Sequence, residues 1–141
     1  MKIADLEGME LDYWVMRADG GRPIPRPAHW TCSGTKALQT GEGEEADVWC
    51  VSCQLPSYSE HWDTNGLRLI EKYRIHLMPH RGPPSDEDAL SDWWYAEAVD
   101  YPLLNAEGKF VSFPEAHGPS ALIAGLRCIV AIRFGEEVPN E

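Results

Sequence analysis

Pro119-Ser120-Ala121-Leu122-Ile123-Ala124-Gly125-Leu126-Arg127-Cys128-Ile129-Val130-Ala131-Ile132-Arg133-Phe134-Gly135 carries apolar side chains at Leu122, Ile123, Leu126, Ile129 and Val130. That spacing is the signature of an amphipathic helix. Pro119 suits the first helical position and Gly135 the stop, so start, period and end agree. A second helix is expected over residues 9–19, where Leu11, Trp14, Val15 and Ala18 recur at i, i+3, i+4 and i+7. Asp12, Arg17 and Asp19 fill much of its remaining surface, and Gly20-Gly21 supplies a left-handed stop. Leu6, upstream of Gly8, is expected to fold back onto this helix as a short turn.

Between the two helices three segments read as strands. Residues 48–55 and 69–78 alternate between breakers, with Tyr73, Ile75 and Leu77 opposing Arg74 and His76. In residues 93–99, Trp93, Tyr95, Glu97 and Val99 oppose Trp94, Ala96 and Ala98. Terminal helices enclosing strands, with no βαβ repeat, predict an α+β fold: a small antiparallel sheet packed by an N-terminal and a C-terminal amphipathic helix. Residues 20–27, rich in Gly and Pro, predict an extended connector, and the polar stretch at about 33–47 a mobile loop. Residues 79–84 predict a further loop, 85–91 an acidic helical turn capped by Ser85, and 136–141 a short acidic tail.

The chain of 141 residues, 43% hydrophobic and 25% charged, suits one globular domain spanning 1–141. Twelve Lys and Arg against 23 Asp and Glu give a formal charge of -11, which repels phosphate backbones and anionic lipid. Direct nucleic-acid binding is therefore not expected. Neither a signal-peptide core nor an apolar run near the ~18 residues of a membrane span is present, so a cytoplasmic protein with reduced cysteines is expected.

Leu11-Asp12-Tyr13-Trp14-Val15-Met16-Arg17-Ala18 resembles the opening helix of the phage NinX-like family, whose usual form reads Leu-Asp-Tyr-Trp-Val with Ala-x-Ala close behind. Gly118-Pro119-Ser120-Ala121-Leu122-Ile123-Ala124-Gly125-Leu126-Arg127 and Phe134-Gly135-Glu136-Glu137-Val138 are similar to its closing segment. Tyr58-Ser59, Trp62 and residues 66–71 resemble a looser middle motif. There Asn65 stands where the family has one glycine, and the register gains a residue before Glu71. The resemblance implies an accessory protein of lambda-like phages and integrated prophages, acting inside the bacterial cell. It implies no activity.

His29-x-x-Cys32 followed by Cys50-x-x-Cys53 has the ligand count of one zinc site. However, residues three apart on a continuous strand face opposite ways, and neither Gly nor Pro lies between Cys50 and Cys53, so buried thiols are expected there. Cys128 is expected to be a small core residue. His61, Asp63, Ser57 and Ser59 supply hydrolase residue types without an elbow or oxyanion motif. The N-terminus of the closing helix beside His117 offers amides to an anion, with Arg17 and Arg127 in support. Tyr13, Trp14, Arg17, Trp62, His117 and Arg127 are thus the candidate binding residues, and no catalytic residue or cofactor is assigned.

Six tryptophans are unusual for this length, and Trp14 belongs to the core pattern. Trp93 and Trp94 cannot both face inward on a strand covered on one side. Trp30, Trp62, Trp93 and Trp94 are the interface candidates, since tryptophan anchors protein interfaces efficiently. The expected function is non-enzymatic binding of a host or phage protein through an aromatic patch with an acidic rim, with self-association also open. The alternatives are a small enzyme or ligand-binding domain near His61, His117 and Arg127, and a zinc-binding module.

Overall fold

The closing segment forms the helix its spacing predicts, and one sheet and the other helices among the described residues pack against it. The computed structural model describes residues 1–79 and 93–140, and the backbone alone of Asp63 and Thr64. Three α-helices form among the described residues: α1 (Gly8–Ala18), α2 (Leu67–Lys72) and α3 (Ala121–Phe134). The strands are β1 (Arg22–Ile24), β2 (Ala37–Thr40), β3 (Asp47–Cys50), β4 (His76–Pro79), β5 (Trp94–Glu97), β6 (Leu103–Leu104), β7 (Phe110–Ser112) and β8 (Glu115–Gly118). They pair antiparallel in three small sheets, β1-β2-β3, β4-β5-β8 and the hairpin β6-β7, so the α+β class holds while the single expected sheet is divided.

Leu122 and every residue from 124 to 131 are buried, so α3 is covered on nearly all sides and not along one stripe. The β4-β5-β8 sheet and α1 both pack against it. Leu77, Ala96 and Ala116 share a register row on the inner sheet face, while His76, Glu97 and Glu115 and then Met78, Tyr95 and His117 form rows outside. The expected alternation of residues 93–99 is therefore present in β5. The helix begins two residues later than Pro119 suggests, because Ser120 is the cap: its Oγ accepts from the Ile123 amide at 3.2 Å. Gly135, at φ 77°, ends it as expected.

Helix α1 also begins close to its expected position, and its closing glycine Gly20 lies at φ 110°. Asp12, expected on the solvent side, is buried because the segment at 58–59 crosses it and the Ser59 amide donates to its Oδ1 at 2.8 Å. Burial holds the Asp12 carboxyl above its ordinary value of 3.8, against the opposing pull of the Ser59 bonds. Asp12→Ala strands a buried amide and is expected to cost about 1–3 kcal/mol, whereas Asp12→Asn keeps an acceptor and stays within about 1 kcal/mol of wild type. Because the folded pKa is raised, the favourable contribution of protonation is complete below the unfolded pKa and is lost as pH rises through the folded value. Urea melts of wild type against Asp12→Asn should show wild type losing relative stability with rising pH over the acid range only.

Several sequence expectations are corrected. Residues 69–78 are not one strand: Trp62–Gly66 makes a π-turn, α2 follows, Arg74 takes φ 52°, and β4 begins at His76. Leu69 and Ile70 are buried, so the hydrophobic period there was helical. The strand expected over 48–55 stops at Cys50, where Cys50 accepts from the Cys53 and Gln54 amides at 3.3 and 2.9 Å. The Gln54 side chain accepts from the Cys50 amide at 2.9 Å, which holds the turn without Gly or Pro. The loop expected over 33–47 contains β2, with Ala37 and Leu38 buried between β1 and β3. The connector at 20–27 holds β1, where Pro23 is tolerated because the strand lies on an edge. In the expected acidic tail, Glu136 accepts from the Ile3 amide and Val138 donates to the Met1 carbonyl, both at 3.0 Å, tying the chain ends together. Ile3, Leu6 and Val138 are buried there. The loop at 80–84 and the acidic turn at 85–91 lie outside the described residues.

Candidate functional site

Leu103-Leu104-Asn105-Ala106-Glu107-Gly108-Lys109-Phe110-Val111 is a hairpin written in sequence, two apolar runs around an Asn and a Gly. Asn105 Oδ1 accepts from the Glu107 and Lys109 amides at 2.9 and 3.0 Å, and Gly108 takes φ 77°. The resulting β6-β7 ribbon leaves Leu104, Phe110 and Val111 57%, 57% and 59% exposed. Phe110 packs on Phe113 with ring centroids 4.9 Å apart. Phe113 and Leu103 in turn line a groove of about 650 Å³ that runs beside β8 and also takes in Trp93, His117 and the turn at Ile3–Asp5. Asp5, Glu115, Glu136 and Glu137, all exposed, also line it, with Lys2 as the opposing charge. The molecule thus carries an apolar ribbon whose Leu103 lines a groove rich in carboxylates. Sequence reading passed over the ribbon, although its turn signal was present.

The tryptophan pair separates as strand geometry requires. Trp94 packs against the core while Trp93 lines the groove. Trp62 opens the π-turn, is 40% exposed and is not a groove residue. Trp30 is half-buried beneath Arg26, whose guanidinium stands 5.7 Å from its ring.

Trp14 is buried, edge-on to Tyr13 and to Phe134 at 5.1 Å each, and the Arg17 guanidinium lies 5.8 Å from the rings of Trp14 and Phe134. These residues pin α1 to the end of α3. Tyr13 and Trp14 also edge a shallow groove of about 330 Å³ with Lys36, Met9 and Val138.

Arg127 is 5% exposed and donates from Nε to the Leu6 carbonyl at 3.0 Å and from Nη1 to the His117 carbonyl at 2.9 Å. It therefore meets His117 through the strand backbone, while the His117 imidazole packs 5.1 Å from the Tyr95 ring on the outer face. The Tyr95 hydroxyl lies between the carboxylates of Glu97 and Glu115, at 2.5 and 2.7 Å, and burial with these two neighbours drives its pKa far up. His61 is exposed beside Glu60 and lines neither groove. The side chain of Asp63 is outside the described set.

The cysteines are all free thiols, and three of them converge. Cys32 and Cys50 sulfurs lie 3.6 Å apart, and the sulfurs of Cys32, Cys50 and Cys53 all fall within 4.8 Å of one another. The turn after Cys50 returns Cys53 to the same side, which removes the geometric objection raised by a continuous strand. His29 is exposed and is not a member of this cluster. A hydrogen bond from the Cys53 thiol, with a smaller one from Ser52, pulls the Cys50 pKa down to about 6, and the same pairing pushes Cys53 up to about 12. Cys128 is buried in α3 and donates to the Pro114 carbonyl at 3.5 Å. No helix among the described residues is long and apolar enough to cross a membrane.

Comparison with known proteins gives one family: the model for bacteriophage P22 NinX matches residues 2–133. No curated protein matches the chain.

Proposed function

Since this chain belongs to the bacteriophage P22 NinX family, we propose that it is a phage accessory protein that acts in the bacterial cytoplasm by binding another protein of host or phage origin. The observation that carries this reading is the β6-β7 ribbon, whose Leu104, Phe110 and Val111 are more than half exposed and whose Leu103 lines the groove with Trp93. A two-stranded ribbon is marginal by itself, and so contiguous an apolar surface is typical of interaction sites. The acidic groove lining selects the partner's chemistry: an apolar anchor flanked by Lys or Arg, attracted by the formal charge of -11. Hydrolase or small-ligand chemistry at His61, His117 and Arg127 is less well supported, because Arg127 is engaged with two main-chain carbonyls and His61 lines neither groove.

Trp93→Ala and Phe110→Ser should each weaken partner retention at least ~10-fold, the scale of an aromatic anchor. Both should leave the denaturation midpoint nearly unchanged. Trp62→Ala separates this surface from the isolated exposed tryptophan and should bind normally. The measurement is affinity capture from infected cells, followed by titration of the purified partner and hydrogen exchange on the complex. Protection of amides 103–112 is expected. Equal retention by all variants, or unaltered exchange across 103–112, overturns the reading. A wild-type dimer in sedimentation that Phe110→Ser dissociates would assign the surface to a second copy of this chain instead.

A further inference from the structure

We propose that Cys32, Cys50 and Cys53 form a zinc-binding site with three thiolate ligands and a fourth, outward-facing position. The three sulfurs come from two separate segments, the loop before β2 and the end of β3 with the turn that follows it, and no disulfide joins them. A tetrahedral zinc with sulfurs at 2.3 Å holds them about 3.8 Å apart. The Cys32 and Cys50 sulfurs are already 3.6 Å apart, and the third lies within 4.8 Å of both. Closing the site takes only a small side-chain movement of Cys53, the exposed member.

The surroundings hold this arrangement. A Cβ on Gly34 would stand 2.4 Å from the Cys50 sulfur and 2.8 Å from Ser52 Oγ, so only glycine lets the Cys32 loop come this close. Arg26 fastens the same loop, donating to the carbonyls of Gly34 and of Trp30, and its Nη1 lies 3.9 Å from the Cys32 sulfur. Three thiolates around Zn²⁺ leave one net negative charge, which the guanidinium offsets. On the other side, Gln54 locks the turn through the Cys50 amide. Metal uptake releases the thiol protons and needs no oxidant. Cys53 is exposed, so the fourth position faces outward, open to water or to a ligand supplied by a partner.

Cobalt alone, added to the reduced full-length protein under anaerobic conditions, tests the assignment by absorption spectroscopy. One equivalent should produce thiolate-to-cobalt charge-transfer bands with a tetrahedral visible spectrum, and one equivalent of zinc should abolish both. Cys53→Ser, the variant least able to disturb folding, should weaken cobalt binding by more than the ~10- to 100-fold typical of a lost outer-shell partner. Cys128→Ser and His29→Ala should bind as wild type does. Far-ultraviolet dichroism verifies that each variant is folded, and Gly34→Ala adds a variant that keeps every ligand yet should lose the site. Absence of charge-transfer bands in folded, fully reduced protein overturns the proposal. So does cobalt binding that Cys53→Ser leaves unchanged, or a requirement for Cys128.

Discussion

Arg127→Met is expected to lower folding stability by about 3 kcal/mol while preserving most of the side-chain volume. Nε and Nη1 of Arg127 reach the carbonyls of Leu6 and His117, which belong to the N-terminal turn and to the edge strand β8. Each hydrogen bond from a charged donor is worth about 1.5–3 kcal/mol, and losing both leaves two carbonyls without their buried partner. Removal of a buried cation offsets part of that loss: burial lowers the Arg127 pKa, and only Glu7 and Asp5 act to raise it. The hydrogen-bond loss wins because it is incurred twice. Arg127→Lys keeps the charge but has one ammonium where two carbonyls were bridged by a planar fork, so it should recover only part of the stability. Chemical denaturation followed by dichroism measures both. A midpoint for Arg127→Met equal to wild type would mean that Leu6 and His117 do not depend on this tie, and would return Arg127 to consideration as a ligand group.

Those two bonds also show why the fold was legible at its ends and less so between them. Helices α1 and α3 carry their periods in local sequence, and Gly20 and Gly135 stop them at positive φ. What local sequence does not carry is how many faces of a helix are covered. Asp12 reads as solvent-facing until the segment at 58–59 lies across it, and Arg127 reads as support for a bound anion until the N-terminal turn meets it over α3. The misread middle has a similar origin. Leu69, Tyr73, Ile75 and Leu77 fit a period of two, yet Leu69 and Ile70 are buried on a short helix that ends at Lys72, two residues before Arg74 takes φ 52°. Nothing in that residue type announces a left-handed turn.

For the sites, residue types were legible but their directions were not. The spacing of His29, Cys32, Cys50 and Cys53 suits a metal, strand parity speaks against it, and the fold leaves His29 out of the cluster. The parity argument fails because a side chain, Gln54, makes the turn that Gly or Pro normally marks. Conversely, parity succeeds at Trp93 and Trp94, where β5 continues through the pair's C-terminal side in regular register with β4 and β8. Tryptophan content drew attention to Trp30 and Trp62, whereas four of the exposed large apolar side chains among the described residues, Leu103, Leu104, Phe110 and Val111, gather on the ribbon, where no tryptophan occurs.

Gly118→Ala and Gly125→Ala should separate sharply, although both add one methyl group beside α3. A Cβ on Gly118 would lie 2.7 Å from the Ala124 nitrogen and 3.1 Å from its Cα. Backbone in the first turn of a helix cannot step aside without moving the helix off β8, and overpacking of this kind costs about 1–3 kcal/mol or more. A loss of about 3 kcal/mol is expected, since the wall is main chain. A Cβ on Gly125 would instead meet Ile70 Cδ1 at 2.8 Å and Cγ1 at 3.1 Å, the far end of a side chain that can rotate. That adjustment is opposed by a gain of about 1 kcal/mol from replacing glycine inside a helix. Gly125→Ala should therefore stay within about 1 kcal/mol of wild type. Denaturant midpoints decide the matter, and equal effects at the two positions would show that α3 is free to shift along the sheet. Such freedom would matter beyond stability. His117, next to Gly118 on β8, lines the groove, and Arg127 fixes β8 to α3 through the His117 carbonyl. A helix displaced from β8 would carry the groove wall with it, so Gly118→Ala in protein that still folds should also weaken partner binding through a residue that never touches the partner.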